Sequence, residues 1–153
     1  FPHVAKHARR TINPPKDTWV AFAANKRGYK MMPHFQIGLW GTHLFIWYAV
    51  IYEAPTKETI GKKFMQNVEF IQNHVPADFV WSVDHMQSGS QKHHDLSNKD
   101  LELMFTRLQT IKKAELLCGV QIPREQAVKM NGDELIEKIT KTFEQLMPLY
   151  KLA

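Results

Sequence analysis

An alternation of apolar and polar positions between residues 31 and 53 is the clearest pattern in this chain, and Gly41 and Thr42 interrupt it. Because successive side chains point to opposite faces of a strand, the alternation predicts a β-hairpin with a two-residue turn and Gly at its first central position. The predicted register pairs Ile37 with Ile46. A slip by one residue would mix the two faces, so we expect the register to be strongly specified.

The two faces of this predicted hairpin differ in character. The first face is apolar and predicts a main core; its residues are Phe35, Ile37, Leu39, Leu44, Ile46, Tyr48 and Val50. The second face has aromatic residues and histidines where a solvent-facing strand usually has Lys, Glu and Thr; its residues are His34, Gln36, Gly38, Trp40, His43, Phe45, Trp47 and Ala49. This second face is called the aromatic face below, and the pattern indicates a second small core, a dimer interface or a ligand-binding surface.

Apolar stripes at helical spacing predict three longer helices. The first spans residues 55–75, the second follows Ser97, which with Asp100 resembles a capping box, and the third follows Asn131. The residues predicted to be buried on these stripes are Ile60, Phe64, Val68, Ile71, Val75, Leu101, Met104, Phe105, Leu108, Ile111, Ile136, Ile139, Phe143, Leu146 and Met147.

Shorter β-rich runs complete the predicted fold. Further strands are predicted at residues 18–24, 79–85 and 114–122. Residues 1–16 are predicted to be an irregular basic lead-in, and residues 86–96 a polar loop. The order of elements predicts an α+β fold, a two-layer sandwich in which amphipathic helices pack on one face of a mainly antiparallel sheet.

Length and composition predict one domain over residues 1–153, with 44% hydrophobic residues. The chain begins with Phe1, so we expect that a natural N-terminal segment is missing. It has no apolar run long enough to span a bilayer, and no signal segment or disulfide pair, since Cys118 is its one cysteine. We therefore predict a cytoplasmic protein without membrane partners, in which Cys118 is a buried thiol.

The net charge of +5 comes from the N-terminal part of the chain, because residues 1–30 carry seven basic residues and one acidic residue. Such a local excess can attract anions, although many basic surfaces are simply solvated. Together with the aromatic face it suggests nucleobase stacking combined with phosphate contacts. The basic residues considered for these contacts are Arg9, Arg10, Lys26 and Arg27.

Common catalytic motifs are absent from the sequence, including Gly-rich nucleotide loops, the zinc-protease motif and CxxC. His85, His93, His94 and Asp95 are residue types that bind zinc, but adjacent histidines in a polar loop are commonly exposed. We therefore predict no metal and no cofactor. Asp84 beside His85 does not indicate a catalytic pair, because neighbouring residues of a strand point to opposite faces.

Several segments of this chain resemble the YktB-like family of small bacterial cytosolic proteins, which is catalogued as a domain of unknown function. They are FPHVAKHARRT (residues 1–11), NPPKDTW (13–19), PHFQIGLW (33–40), KKAELLCG (112–119) and LMPLY (146–150). The resemblance covers essentially the whole chain. It implies an α+β two-layer fold and a further N-terminal stretch in family members, and it supplies no catalytic residues.

The leading functional hypothesis is a binding module for an anionic ligand, a nucleotide or a nucleic acid, on the aromatic face. The predicted ligand-binding residues are His34, Trp40, His43, Trp47, Arg9 and Arg10. An alternative is a small-molecule enzyme that uses His34 or His43 as an acid or base, since the pKa of histidine is easily tuned. A third interpretation is a structural or self-associating protein, which would form a homodimer.

Overall fold

The computed structural model describes residues 2–4, 17–23, 28–86 and 89–153. The strands are β1 (Pro2–Val4), β2 (Asp17–Phe22), β3 (His34–Trp40), β4 (His43–Val50), β5 (Val80–Ser82), β6 (Gln91–Lys92) and β7 (Leu116–Pro123). The helices are α1 (Lys57–Gln66), α2 (Val68–His74), α3 (Asn98–Thr110), α4 (Arg124–Ala127) and α5 (Gly132–Leu152). Short 3-10 turns occur at Tyr29–Met31 and His93–Asp95.

In the described part of the chain the strands form one seven-stranded sheet, and every pair of neighbours is antiparallel. The strand order is β1-β2-β3-β4-β7-β5-β6. One face of the sheet packs against the helices in a single large core, which confirms the predicted α+β two-layer architecture. None of the helices in the described part of the chain has the length and hydropathy needed to cross a membrane.

The hairpin formed by β3 and β4 has the predicted register, with Ile37 opposite Ile46. Its two-residue tip is also as predicted, but Gly41 does not adopt the left-handed φ that the common tight hairpin turns use. A residue outside the hairpin stabilises its tip, because the backbone N–H of Arg124 donates to the carbonyl oxygen of Thr42 at 3.0 Å. Packing against the start of α4 therefore supplies a restraint that the turn residues do not.

The main core is centred on aromatic rings that join the sheet to the helices. Phe64 on α1 is fully buried and packs edge-on against Phe105 of α3, with ring centroids 5.4 Å apart. Phe143 on α5 is only partly buried and lies with its ring centroid 4.7 Å from that of Phe35. The predicted helix stripes therefore do face the sheet, with α1 and α3 contributing the most deeply buried rings.

Two residues of the predicted stripes are exposed. Ile136 is 64% exposed, because the buried residues of α5 lie from its middle to its C-terminal end, at Thr142, Leu149 and the predicted Leu146. Ile111 is 42% exposed, because α3 ends there with extended backbone and the side chain leaves the helical stripe.

Some boundaries also differ from the predictions. The helix predicted over residues 55–75 is two helices, because the side-chain amide of Asn67 donates to the carbonyl of Lys63 at 2.7 Å and Asn67 itself is not helical. Within the predicted lead-in, Pro2–Val4 is an edge strand paired with β2. The strand predicted over residues 79–85 is shorter, because β5 ends at Ser82.

Cys118 and Gly119 are neighbours in β7, and they differ in what surrounds them. Cys118 is fully buried opposite Tyr48 on the helix side, and burial raises the pKa of its thiol. At Gly119, a Cβ atom would meet the backbone carbonyl oxygen of Ile46. Only glycine allows the backbones of β4 and β7 to approach so closely.

We expect Phe64→Ala to lower the free energy of unfolding by about 3–5 kcal/mol, because it removes a fully buried ring and leaves a cavity. Ile136→Ala on the exposed side of α5 is the control and should change stability by no more than about 0.5 kcal/mol. Denaturant unfolding followed by circular dichroism measures both values. Equal losses in the two variants would contradict the assigned core.

We expect Cys118 in the native protein to react with a thiol reagent at neutral pH far more slowly than in protein unfolded by denaturant. The reason is that the thiolate is the reactive form, and burial both shields Cys118 and raises its pKa. A colorimetric thiol assay with and without denaturant measures the two rates. Equal rates would show that the thiol is accessible in the folded state.

Candidate functional site

The sheet face opposite the helices carries a second, smaller apolar cluster. The cluster contains Phe45, Trp47, Ala49, Val80 and Leu117, with Trp19 and Trp40 packed against it. Trp47 is buried and stacks on Phe45, with ring centroids 6.1 Å apart. The aromatic face that the alternation predicted therefore brings together residues of β2, β3, β4, β5 and β7.

At the centre of this face the side chains are closely packed. A narrow cleft lies among them, and its volume is about 10 Å³. A cavity of that size holds about one water molecule. The residues lining the cleft are Trp19, Gln36, Trp40, Phe45, Trp47, Ser82, Asp84, His85, Leu117 and Gln121. Trp40 and Trp47 thus meet at one cleft, whereas His34 and His43 do not line it.

His34 is fully buried at one end of the face, and both of its ring nitrogens have partners. Its Nδ1–H donates to the carbonyl oxygen of Met32 at 2.9 Å, and its Nε2 accepts from the amide of Gln36 at 2.8 Å. The Tyr29 ring packs edge-on against it, with centroids 5.1 Å apart. In this arrangement His34 orients Gln36 toward the cleft, and its predicted contact with a ligand stays a prediction.

His43 lies at the opposite end of the hairpin and lines a groove of about 560 Å³ at the sheet edge. This edge groove forms where β7 extends beyond its partner β5, because β5 pairs with β7 only as far as Gly119. Two basic side chains line the groove, Lys92 from β6 and Lys138 from α5. The other residues that line it are Thr42, Asp78, Val80, Ser90, Val120, Gln121, Ile122, Pro123 and Gln126.

The imidazole of His43 is held between aromatic neighbours. Trp40 stacks on it with an interplanar angle of 18° and centroids 6.4 Å apart, and Phe45 follows at 6.5 Å. Nδ1 is 2.9 Å from the hydroxyl oxygen of Thr42, while Nε2 is buried without a hydrogen-bond partner among the described residues. Burial lowers the pKa of His43 from its usual 6.5, so the neutral ring is favoured.

A cluster that the sequence did not predict lies at the other side of the cleft, where Asp84, His85 and Glu115 meet. Glu115 is only 4% exposed and directly precedes β7. The Nδ1–H of His85 donates to the two carboxylate oxygens of Glu115 at 2.7 and 2.8 Å. Backbone N–H groups add two more bonds, from His85 at 2.9 Å and from Tyr52 at 3.0 Å.

The expectation that Asp84 and His85 point to opposite faces of a strand was wrong. β5 ends at Ser82, so both residues lie in the turn that follows it, where the period-two rule does not apply. The sequence signal that could have identified the cluster is Glu115 itself. A carboxylate at the start of an otherwise apolar strand needs a buried partner.

Opposing influences determine the pKa values of this pair. Burial is the largest influence on His85 and lowers its pKa, but the hydrogen bond and charge of Glu115 and the charge of Asp84 raise the pKa above 6.5 overall. Burial likewise is the largest influence on Glu115 and raises its pKa, but bonds from His85 and Tyr52 lower the pKa below 4.5 overall. The ion pair is therefore the favoured state between pH 4.5 and 6.5.

The remaining candidate residues do not join either site. His93 is buried, accepts from the indole N–H of Trp81 at 2.9 Å, and lies 3.0 Å from the carbonyl oxygen of Gln72 through its other nitrogen. His94 contacts Asp95 at 3.2 Å on the surface. The basic residues of the sequence hypothesis, Arg9, Arg10, Lys26 and Arg27, lie outside the described residues.

These features define an α+β sandwich protein in which helices cover one face of the sheet and the other face carries an aromatic and polar surface. The chain belongs to the family described as "Domain of unknown function (DUF1054)", whose sequence model matches residues 1–150. This agrees with the resemblance to a YktB-like family of uncharacterised function.

Named relatives support the same assignment. Over all 153 residues, the chain is 53% identical to a UPF0637 protein of Bacillus velezensis and covers 73% of it. It is 52% identical to a UPF0637 protein of Bacillus mycoides and 51% identical to one of Bacillus cereus, and it covers 74% of each. The names of these proteins state no activity.

We expect Glu115→Gln to destabilise the protein most between pH 4.5 and 6.5, by about 1.5–3 kcal/mol. Because the pKa of Glu115 is lowered, its contribution is present above pH 4.5 and is lost as the pH falls through that lowered pKa. Because the pKa of His85 is raised, its contribution is present below pH 6.5 and is lost as the pH rises through that raised pKa.

Denaturant unfolding over a pH series measures this difference. Glu102→Gln removes an exposed carboxylate from α3 and serves as the control, which should track the parent protein at every pH. A difference between Glu115→Gln and the parent that does not change with pH would contradict the assigned ion pair.

Proposed function

We propose that this protein binds an anionic ligand with a flat ring, of the size of a nucleotide, in the edge groove beside His43. The observation that carries the proposal is the combination of Lys92 and Lys138 on the groove walls with Trp40 stacked on His43 at its end. A phosphate would interact with the ammonium groups, and a ring would stack beside the indole.

The charge of the groove favours an anion. Two lysines line it against one carboxylate, that of Asp78. A second groove of about 650 Å³, on the other side of β6, shares Lys92 but has a more balanced lining. Its two acidic residues, Asp95 and Asp100, are matched by two basic residues, Lys92 and Arg107. The fixed charges of the second groove therefore offset one another. The edge groove is therefore the better candidate for a phosphate group.

Hydrogen-bonding groups in the edge groove add to this argument. Ser90 donates to the side chain of Gln121 at 2.8 Å, which orients two polar groups on the wall. The amide of Gln126 is exposed at the rim. Among the described residues Nε2 of His43 has no hydrogen-bond partner, and a buried polar atom left in that state typically costs about 1–3 kcal/mol. Such buried unsatisfied groups are uncommon and often indicate a missing partner.

The second candidate function is an enzyme in which His43 acts as a general base. The lowered pKa of His43 favours the neutral imidazole at neutral pH, which is the form that accepts a proton. Binding and catalysis are separated by His43→Gln, which removes the base and keeps a polar side chain. If the variant still binds the ligand but no longer converts it to product, the result would favour the enzyme.

The wider version of the hypothesis, in which a nucleic-acid strand continues from this groove, depends on Arg9, Arg10, Lys26 and Arg27. A strand that uses such contacts would bind with a steep dependence on salt, because each phosphate contact releases counterions. A single nucleotide in the groove would show a much weaker salt dependence. Titration of a labelled oligonucleotide at two salt concentrations therefore distinguishes these ligands.

We expect the double variant Lys92→Glu and Lys138→Glu to weaken binding of ADP by at least about tenfold, because charge-assisted hydrogen bonds contribute about 1.5–3 kcal/mol. Trp40→Ala should weaken binding of ADP but not of inorganic phosphate, since stacking contributes about 1–3 kcal/mol per base. Isothermal titration calorimetry with ADP and with phosphate measures both effects.

The matched control is Lys113→Glu, which makes the same kind of charge change at an exposed position. Lys113 precedes the N-terminal end of β7, whereas the edge groove lies at the C-terminal end of that strand. It should bind ADP like the parent protein. Absence of ADP binding at millimolar concentration, or an equal loss in the control, would refute the edge groove as a nucleotide site.

A further inference from the structure

We propose that Asp84, His85 and Glu115 bind a divalent transition-metal ion of the Zn²⁺ or Mn²⁺ type. One ligand atom from each residue lies within 4.8 Å of the others, so a small contraction of the side chains would bring all three into contact with one ion. The proposal does not depend on the edge groove, because none of the three residues lines it.

The donor set fits this class of ion. One imidazole nitrogen and two carboxylate oxygens combine a ligand that suits Zn²⁺ with ligands that suit Mn²⁺. The ion would displace a proton from His85 to water and replace the hydrogen bonds between its Nδ1–H and Glu115. Mg²⁺ prefers oxygen donors and retains its water, so the imidazole disfavours it. Three protein ligands would leave further coordination positions for water or a substrate, as in metal sites that perform chemistry.

The carboxylates are already oriented by backbone groups. Both oxygens of Glu115 accept backbone N–H groups, and Oδ1 of Asp84 accepts the backbone N–H of Met86 at 2.8 Å. Outer hydrogen bonds of this kind fix the direction of metal ligands and tune their affinity. The three ligands therefore lie on two chain segments, the turn after β5 and the residue before β7, and Tyr52 in the turn after β4 holds Glu115 in place.

The neighbouring cleft provides a second and independent observation. Asp84 and His85 line it together with Ser82, and its volume of about 10 Å³ matches a single water molecule or ion. The nearby cation Lys30 is 3.8 Å from Glu53, so its charge is partly compensated away from the cluster. A small cation in this cleft would therefore lie beside the carboxylate of Asp84 and the imidazole of His85, and Glu115 contacts the same imidazole.

A purely structural role for the cluster makes a different prediction. The ion pair of His85 with Glu115 holds the turn after β5 against β7, and Asp84 contributes no hydrogen bond to it. In a purely structural cluster, replacing the carboxylate of Asp84 would not change the affinity for a metal ion, whereas in a metal site it would lower that affinity. Asp84→Asn therefore tests the proposal while leaving the hydrogen bonds between His85 and Glu115 in place.

The experiment is a calorimetric titration of the chelator-treated chain with ZnCl₂, MnCl₂ and MgCl₂. We expect one Zn²⁺ or Mn²⁺ ion per chain and weaker binding of Mg²⁺. Asp84→Asn and Glu115→Gln should each lower the affinity by at least about tenfold. Circular dichroism identifies any loss of folding in Glu115→Gln, and Asp84→Asn carries the conclusion in that case.

The control is the double variant His94→Asn and Asp95→Asn, which removes an exposed imidazole and carboxylate from the nearby 3-10 turn. It should bind the ion like the parent chain. Quenching of tryptophan fluorescence by Co²⁺ gives a positional readout, because the Trp19 ring is 6.2 Å from that of His85, and Trp19→Phe should reduce it.

Three results would overturn the proposal: no saturable binding at millimolar metal, unchanged affinity in Asp84→Asn, or loss of binding in the control. The Lys92→Glu and Lys138→Glu variant should retain metal binding. Failure of the nucleotide site and failure of the metal site are therefore observed separately.

Discussion

The antiparallel pairing of β4 with β7 is the constraint on which the rest of this structure depends. It aligns Tyr48 with Cys118 on the helix side of the sheet and Trp47 with Gly119 on the other. The close approach of the two backbones requires glycine at position 119, since a Cβ atom there would meet the carbonyl oxygen of Ile46. Through this pairing the hairpin presents one face to the helices and the other to the candidate sites.

Both candidate sites arise because β7 is longer than its second neighbour. β5 pairs with only three residues of β7, so the remaining edge of β7 borders the groove beside His43. At the other end, the chain leaves β5 early and turns so that Asp84 and His85 reach Glu115. A single mismatch in strand length therefore produces a cationic groove at one end of β7 and an anionic cluster at the other.

The two sites have opposite electrostatic character, and this separates their chemistry. In the edge groove, lysines outnumber carboxylates and burial favours a neutral His43. In the cluster, two carboxylates surround His85 and favour its charged form. The tight packing of Trp47 and Phe45 between them stabilises the open side of the sheet. The aromatic face is thus partly a second core, and it separates the two candidate sites.

Local sequence patterns were enough to predict the hairpin, its register and the capped starts of α3 and α5. Alternation predicts the hairpin and capping residues predict the helix starts, and each depends on residues close together in sequence. The same patterns also identified Trp40, Trp47 and His43 as one unusual surface. They could not show that His34 is fully engaged with Met32 and Gln36, or that β5 ends at Ser82. The cluster of Asp84, His85 and Glu115 joins residues 30 positions apart. Only the tertiary structure decided it, because contacts across strands are set by packing of the whole sheet and not by local pattern.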